Sequence, residues 1–129
     1  MANSRDFTGK VALITGSSSG IGATTAIFFS KAGAQVVVTG RNAQNVSQVA
    51  QECTKVSPKG LKALEVVADL TKNDDCKRLI ESTISKFGKL DILVNNAGAG
   101  AISSIKVNHI RIVFKTLNEF LFYYKNSLI

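Results

Sequence analysis

The chain has 129 residues, of which 45% are hydrophobic, and carries a formal net charge of +7. That length suits one domain able to bury about two-thirds of its unfolded surface, and the apolar content excludes a disordered polypeptide. No apolar stretch approaches the roughly 20 residues of a membrane-spanning helix, and Met1 to Asp6 lacks the apolar core of a signal peptide.

These observations predict a cytoplasmic chain with no targeting signal and no membrane span. The sixteen Lys and Arg residues are scattered, with no basic run and no recognised nucleic-acid module. They read as a solvated surface that helps attract an anionic cofactor, not as a nucleic-acid interface. Cys53 and Cys76 form no CxxC pair and read as reduced thiols, and no metal site is expected.

In chain order, Val11-Ala12-Leu13-Ile14 is the continuous apolar run of a fully buried parallel strand. Thr15-Gly16-Ser17-Ser18-Ser19-Gly20-Ile21-Gly22 follows as a glycine-rich turn. Ile21, Ala26, Phe28, Phe29 and Ala32 then recur at helical spacing, and Gly33 sits where that helix would stop. A second strand is predicted at Gln35 to Thr39. A polar-faced helix follows over 42–57, with Val46, Val49, Ala50 and Cys53 on one side and Pro58 and Gly60 closing it. Strand three is expected at about Ala63 to Ala68. Thr71 is the expected N-cap of a third helix, with Cys76, Leu79, Ile80, Thr83, Ile84 and Phe87 inward and Gly88 at its end. Leu90 to Val94 makes strand four. This alternation predicts an α/β fold: a Rossmann-type, doubly wound parallel sheet that is incomplete, with about four strands.

In such a sheet the ligand lies at the carboxyl ends of the strands, near the point where strand order reverses. Strand one delivers the glycine turn there. Free N–H groups and the positive end of the helix dipole favour an anion. Gly16 permits the tight turn, Gly20 lets a pyrophosphate approach the backbone, and Gly22 lets helix and strand pack closely. Strand two ends in Gly40-Arg41-Asn42, where Arg41 can pair with a 2′-phosphate. NADP(H) is therefore preferred over NAD(H). Asp69 can accept from the amine of an adenine, or favour the start of helix three through its dipole. Strand four ends in Asn95-Asn96-Ala97-Gly98-Ala99-Gly100. There paired asparagines can bond backbone groups of adjacent strands, and small residues leave room for a flat ligand.

Taken together, these segments resemble the N-terminal part of the short-chain dehydrogenase/reductase family. The residues that carry the resemblance are Gly9-Lys10-Val11-Ala12-Leu13-Ile14-Thr15-Gly16, Gly20-Ile21-Gly22, Asp69-Leu70 and Leu90-Asp91-Ile92-Leu93-Val94-Asn95-Asn96-Ala97-Gly98. It implies a Rossmann fold and NAD(P)-dependent oxidation or reduction of alcohols and carbonyls. It further implies that Ser17, Ser18, Ile21 and Arg41 help hold the cofactor, and that Asp69 and Leu70 border the adenine. The turn from Asn95 through Ala97 to Gly98 would support the sheet and the adenosine side.

The resemblance covers about the first hundred residues, so the chain divides into a dinucleotide-binding half at 1–100 and a divergent tail at 101–129. The tail holds five of the nine aromatics and no Gly, Pro or Asp. Ile110, Val113, Phe114, Leu117, Leu121, Tyr124 and Leu128 fit one helical face, so a helix with an unusually broad apolar surface is expected. The family's chemistry uses a Ser and a YxxxK pair, with Lys lowering the phenol pKa from the same helical face. No YxxxK occurs in this chain. Tyr123 is followed four residues on by Ser127, Tyr124 by Leu128, and Ser103 and Ser104 come too early for the catalytic serine. The expectation is a piece that stops before the catalytic half, with no catalytic residue of its own. It would bind cofactor, or dock through its tail on a full-length relative as a homo- or hetero-oligomer.

Overall fold

A computed structural model describes residues 6–96. Ala97, Gly98 and the tail at 101–129 lie outside the described residues. Seven elements alternate along the chain: β1 (Val11–Ile14), α1 (Gly20–Lys31), β2 (Gln35–Gly40), α2 (Ala43–Val56), β3 (Leu64–Val67), α3 (Asn73–Phe87) and β4 (Ile92–Val94). All four strands run parallel, in the order β3-β2-β1-β4. The Rossmann-type half-sheet predicted from the sequence is therefore present.

Strand periodicity sorts the core into two layers. Ala12, Ile14, Val36 and Val38 face α1 and α2, meeting Ala26, Val46, Val49, Ala50 and Cys53. Leu13, Val37 and Val66 face the other way, toward Cys76, Leu79 and Ile80 of α3. Helices on both faces make the sheet doubly wound, and β1 is completely buried, with no exposure at any of its four residues.

Two details differ from what the spacing suggests. Of the apolar residues at helical spacing in α1, Ala26 is buried but Ile21 and Phe28 are 73% and 39% exposed, and Gly22 and Ser30 complete the buried face. Gly22, Ala26 and Ser30 recur every fourth position, so α1 approaches the sheet closely along a stripe where larger side chains would not fit. Ser30 Oγ uses that closeness to donate to the Cys53 carbonyl of α2. Thr71 is not the N-cap of α3, because that position falls to Lys72, which makes no side-chain cap bond. Thr71 instead donates its N–H (3.0 Å) and Oγ1 hydroxyl (2.8 Å) to Asp69. Asp74 and Asp75 in the first turn complement the helix dipole.

Strand β4 is shorter than predicted. Its start is displaced because Asp91 turns its carboxylate to the Val11 N–H at 2.9 Å. Each of Ile92, Leu93 and Val94 remains partly exposed.

Candidate cofactor site

The strand order reverses between β1 and β4, since β1 pairs with β2 on one side and with β4 on the other. The crevice outside their carboxyl ends is the expected ligand position in a doubly wound sheet. The turn from Thr15 to Gly20 leaves β1 at that place and enters α1.

Uncharged groups fix the turn from two sides. Toward β4, the Thr15 N–H donates to the Val94 carbonyl (3.0 Å), and the Asn96 N–H donates to Thr15 Oγ1 (2.8 Å). Thr15 Oγ1 also stands 3.4 Å from Asn95 Oδ1. Asn96 Nδ2 reaches back to donate to the Gly16 carbonyl at 3.3 Å. Toward β2, Ser17 and Thr39 exchange bonds: the Ser17 N–H donates to the Thr39 carbonyl (3.0 Å), and the Thr39 N–H donates to Ser17 Oγ (2.9 Å). Ser17 is therefore fully buried and holds the turn on β2 with its hydroxyl.

Close approach explains Gly22 and Gly40. A Cβ on Gly22 would overlap the Gly16 carbonyl oxygen and stand 2.5 Å from Asn96 Nδ2. One on Gly40 would overlap Ser18 Oγ and stand 2.7 Å from its Cβ. Gly16 and Gly20 have φ of 62° and 57°, backbone angles that glycine adopts without a Cβ clash. Nothing lies within 4 Å of where a Gly20 Cβ would stand, so the space over the turn is open to an incoming group.

The start of α1 suits an anion. Its N-cap, Ser19, makes no side-chain bond to the helix, and its first turn carries no acid. By contrast, α2 is capped by Asn42, whose side chain accepts from the Asn45 N–H at 3.0 Å. The first N–H groups of a helix have no partner within it, so those of α1 face the open space over the turn. Among the described residues no His, Cys, Asp or Glu cluster could hold a metal ion.

The remaining predicted residues fall around this crevice. Ile21 projects into solvent from the first turn of α1. Arg41 is exposed immediately after β2. Asp69 and Leu70 follow β3, Leu70 packing on the α3-side core. The Thr71 backbone and then its hydroxyl hold the Asp69 carboxyl below the usual carboxylate range, with smaller help from Lys72 and Arg41. Asp69 thus organises its own turn, and Asp75 completes it by accepting from the Asp69 N–H at 2.7 Å. Asn95 Nδ2 is buried with no partner among the described residues, a donor left for a group outside them. Thr15, Thr39 and Gly40 were given no role of their own in the sequence. Their only signal was position: Thr15 follows β1, and Thr39 and Gly40 close β2 beside the turn.

The family model for the short chain dehydrogenases matches residues 10–119. This chain belongs to the short-chain dehydrogenase family. The match runs past Gly100, further than the segments that carry the sequence resemblance. An 11-beta-hydroxysteroid dehydrogenase A of Sesamum indicum is 38% identical over 103 residues, which are 80% of this chain and 29% of that protein. L-sorbose reductase of Gluconobacter frateurii, solved with NADPH and L-sorbose, superposes with a TM-score of 0.78 at 33% identity over 91% of this chain and 48% of that one. A 7-alpha-hydroxysteroid dehydrogenase solved with NADH gives a TM-score of 0.77 at 32% identity, covering 94% and 51%. This short-chain dehydrogenase chain therefore spans about half the length of these solved relatives. Among its described residues, no helix is long and apolar enough to cross a membrane.

Proposed function

We propose that this chain is the NADP(H)-binding portion of an oxidoreductase acting on alcohol and carbonyl groups, and that it does not turn substrate over by itself. The observation that carries the reading is the uncapped start of α1 over an open glycine turn at the switch point. The turn amides would receive the pyrophosphate, with Gly16, Ser17, Ser18, Gly20 and Gly22 shaping the cradle and Ile21 lying over it. Arg41 would pair with the 2′-phosphate. Asp69 and Leu70 would border the adenine, and Asn95, Ala97 and Gly98 its adenosine side. The bound nicotinamide would supply or accept the hydride. This sequence contains no YxxxK to move the accompanying proton.

Fluorescence titration with NADPH and NADH tests the proposal. NADPH should bind more tightly, and Arg41→Ala should weaken it about tenfold to a hundredfold while leaving NADH unchanged. Equal affinities, or no binding, would sink it. The same reading places the chain in the cytoplasm, which cell fractionation tests.

A second reading is favoured by β4, an edge strand of the described sheet whose three residues are all partly exposed. Unpaired backbone and apolar surface on such an edge invite association. The chain would then dock on a full-length relative, helped by the tail. Co-purification lost on deleting residues 105–129 would support it.

A further inference from the structure

Ser17 stands in the glycine turn yet is completely buried, so its hydroxyl meets no ligand. It acts on β2 instead. The β1–β2 register ends at the pair Ile14 and Val38, and β1 turns away at Gly16. Ser17 then adds one more rung, partly with its side chain. Its N–H donates to the Thr39 carbonyl at 3.0 Å, and the Thr39 N–H donates to Ser17 Oγ at 2.9 Å. A hydroxyl here takes the place of the backbone carbonyl that a straight β1 would present.

Gly40 follows Thr39 and closes against both neighbours. Its carbonyl accepts from the Ala68 N–H at 2.9 Å, and a Cβ on it would overlap Ser18 Oγ. Arg41 is the next residue. Its root is thus tied to the turn through Ser17 and Ser18, and to the end of β3 through Ala68. The Arg41 side chain is exposed and forms no salt bridge among the described residues. Asp69 lies within its electrostatic reach, but that carboxylate is turned onto the Thr71 N–H and hydroxyl.

This arrangement bears on the choice between dinucleotides. The NADP(H) reading gives the two phosphate-bearing ends of the adenosine moiety to two elements, the pyrophosphate to the turn and the 2′-phosphate to Arg41. The ligand joins those groups covalently, so the second contact adds affinity only where the two elements are held in matching register. Past Val38 the turn and β2 are joined through Ser17. The turn itself is held separately toward β4, by Thr15 and Asn96. Losing the Ser17 hydroxyl therefore frees the end of β2 more than it frees the turn.

We propose that Ser17 is a positioning residue for cofactor selectivity, holding Arg41 in register with the glycine turn through Thr39. The inference rests on the NADP(H) reading of the crevice and deepens it.

Fluorescence titration of the full chain with NADPH and NADH tests the proposal, using the wild type, Ser17→Ala, Arg41→Ala and the double variant. Ser17→Ala should weaken NADPH about tenfold and NADH less than about twofold. In the Arg41→Ala background it should change the ratio of the two affinities no further, as expected when one residue acts through the other. Ser30→Ala removes a buried hydroxyl from the far end of α1 and should leave the ratio unchanged. Gly40→Ala replaces Ser17→Ala should the latter fail to fold. It keeps the Thr39 rung but presses Ser18 away from the root of Arg41, and should lower the ratio as well.

An unchanged ratio in Ser17→Ala, or in Gly40→Ala as its replacement, overturns the proposal. Equal weakening of both dinucleotides does the same, since it marks a merely structural role, as does a further loss of ratio in the Arg41→Ala background. A wild type without preference for NADPH, or a preference that survives Arg41→Ala, sinks the NADP(H) reading itself and this inference with it.

Discussion

The two ends of the sheet are held together by opposite means. At the carboxyl ends, the glycine turn is fixed by hydroxyls, amides and missing side chains: Thr15, Ser17, Asn96 and the bare Cα of Gly22. At the amino ends, charged groups do the same work. Asp91 takes the Val11 N–H, Lys89 reaches the Gly9 carbonyl, and Asp6 binds Thr8. The difference shows what an anion-accepting end needs. A carboxylate fixed against the turn amides would satisfy them and repel a phosphate, whereas neutral groups fix the turn and leave its amides available. Where no anion is to be received, a carboxylate is a strong acceptor for a strand's first N–H.

Substitutions at each end sharpen that contrast. The largest effect is expected from Gly22→Ala, whose methyl would overlap the Gly16 carbonyl oxygen. Thermal or denaturant unfolding should show a loss of about 3 kcal/mol, with the turn displaced. A stable Gly22→Ala protein that still binds dinucleotide would break the account of the cradle. Next is Ser17→Ala, which removes the acceptor for the Thr39 N–H inside a buried turn. The expected loss is about 1–3 kcal/mol by urea unfolding.

Asp91→Asn should be milder, because Asp91 lies near the surface. A carboxamide oxygen can still accept from Val11 but no longer attracts Lys89. A fall of a few degrees in melting temperature is expected, with dinucleotide affinity unchanged. The same charges set the acid limb of stability. The folded state holds Asp91 low mainly through the Val11 N–H, and Asp69 and Asp6 low through Thr71 and Thr8. Groups with depressed folded pKa values contribute above their unfolded values and lose that contribution as pH falls through the folded ones. Stability should therefore decline below about pH 4, and less steeply in Asp91→Asn.

The alkaline limb is set in the layer between α1 and α2. Burial pushes the Cys53 thiol up to about 11. A raised folded pKa stabilises fully below the unfolded value, so this contribution should fade as pH rises from about 9 to 11. Cys53→Ala should flatten that decline in a pH-dependent melting series.

Much of this was legible in the residues. The apolar run Val11 to Ile14 suits a buried strand and forms one. The period-3.6 stripe of α3, from Cys76 through Leu79, Ile80 and Thr83, is buried as its spacing predicts. The inner face of α1 was not legible, because periodicity reports greasy residues, while a helix pressed close to a sheet is selected for small ones. Ile21 consequently projects outward and Ser30 lies inside. Nor could the roles of Ser17 and Thr71 be read. A hydroxyl in a turn serves whichever backbone group the fold brings to it, and its partner can be 22 residues away, as with Thr39.

By itself the sequence determined the element order, the strand-turn-helix cradle and the family, because these rest on local periodicity and on glycines whose spacing is local. The tertiary structure alone decided which groups fix the glycine turn at the switch point, with Ser17 bonded to Thr39 and Asn96 to Thr15 and Gly16. These bonds depend on strand order, which parallel pairing sets between segments distant in sequence.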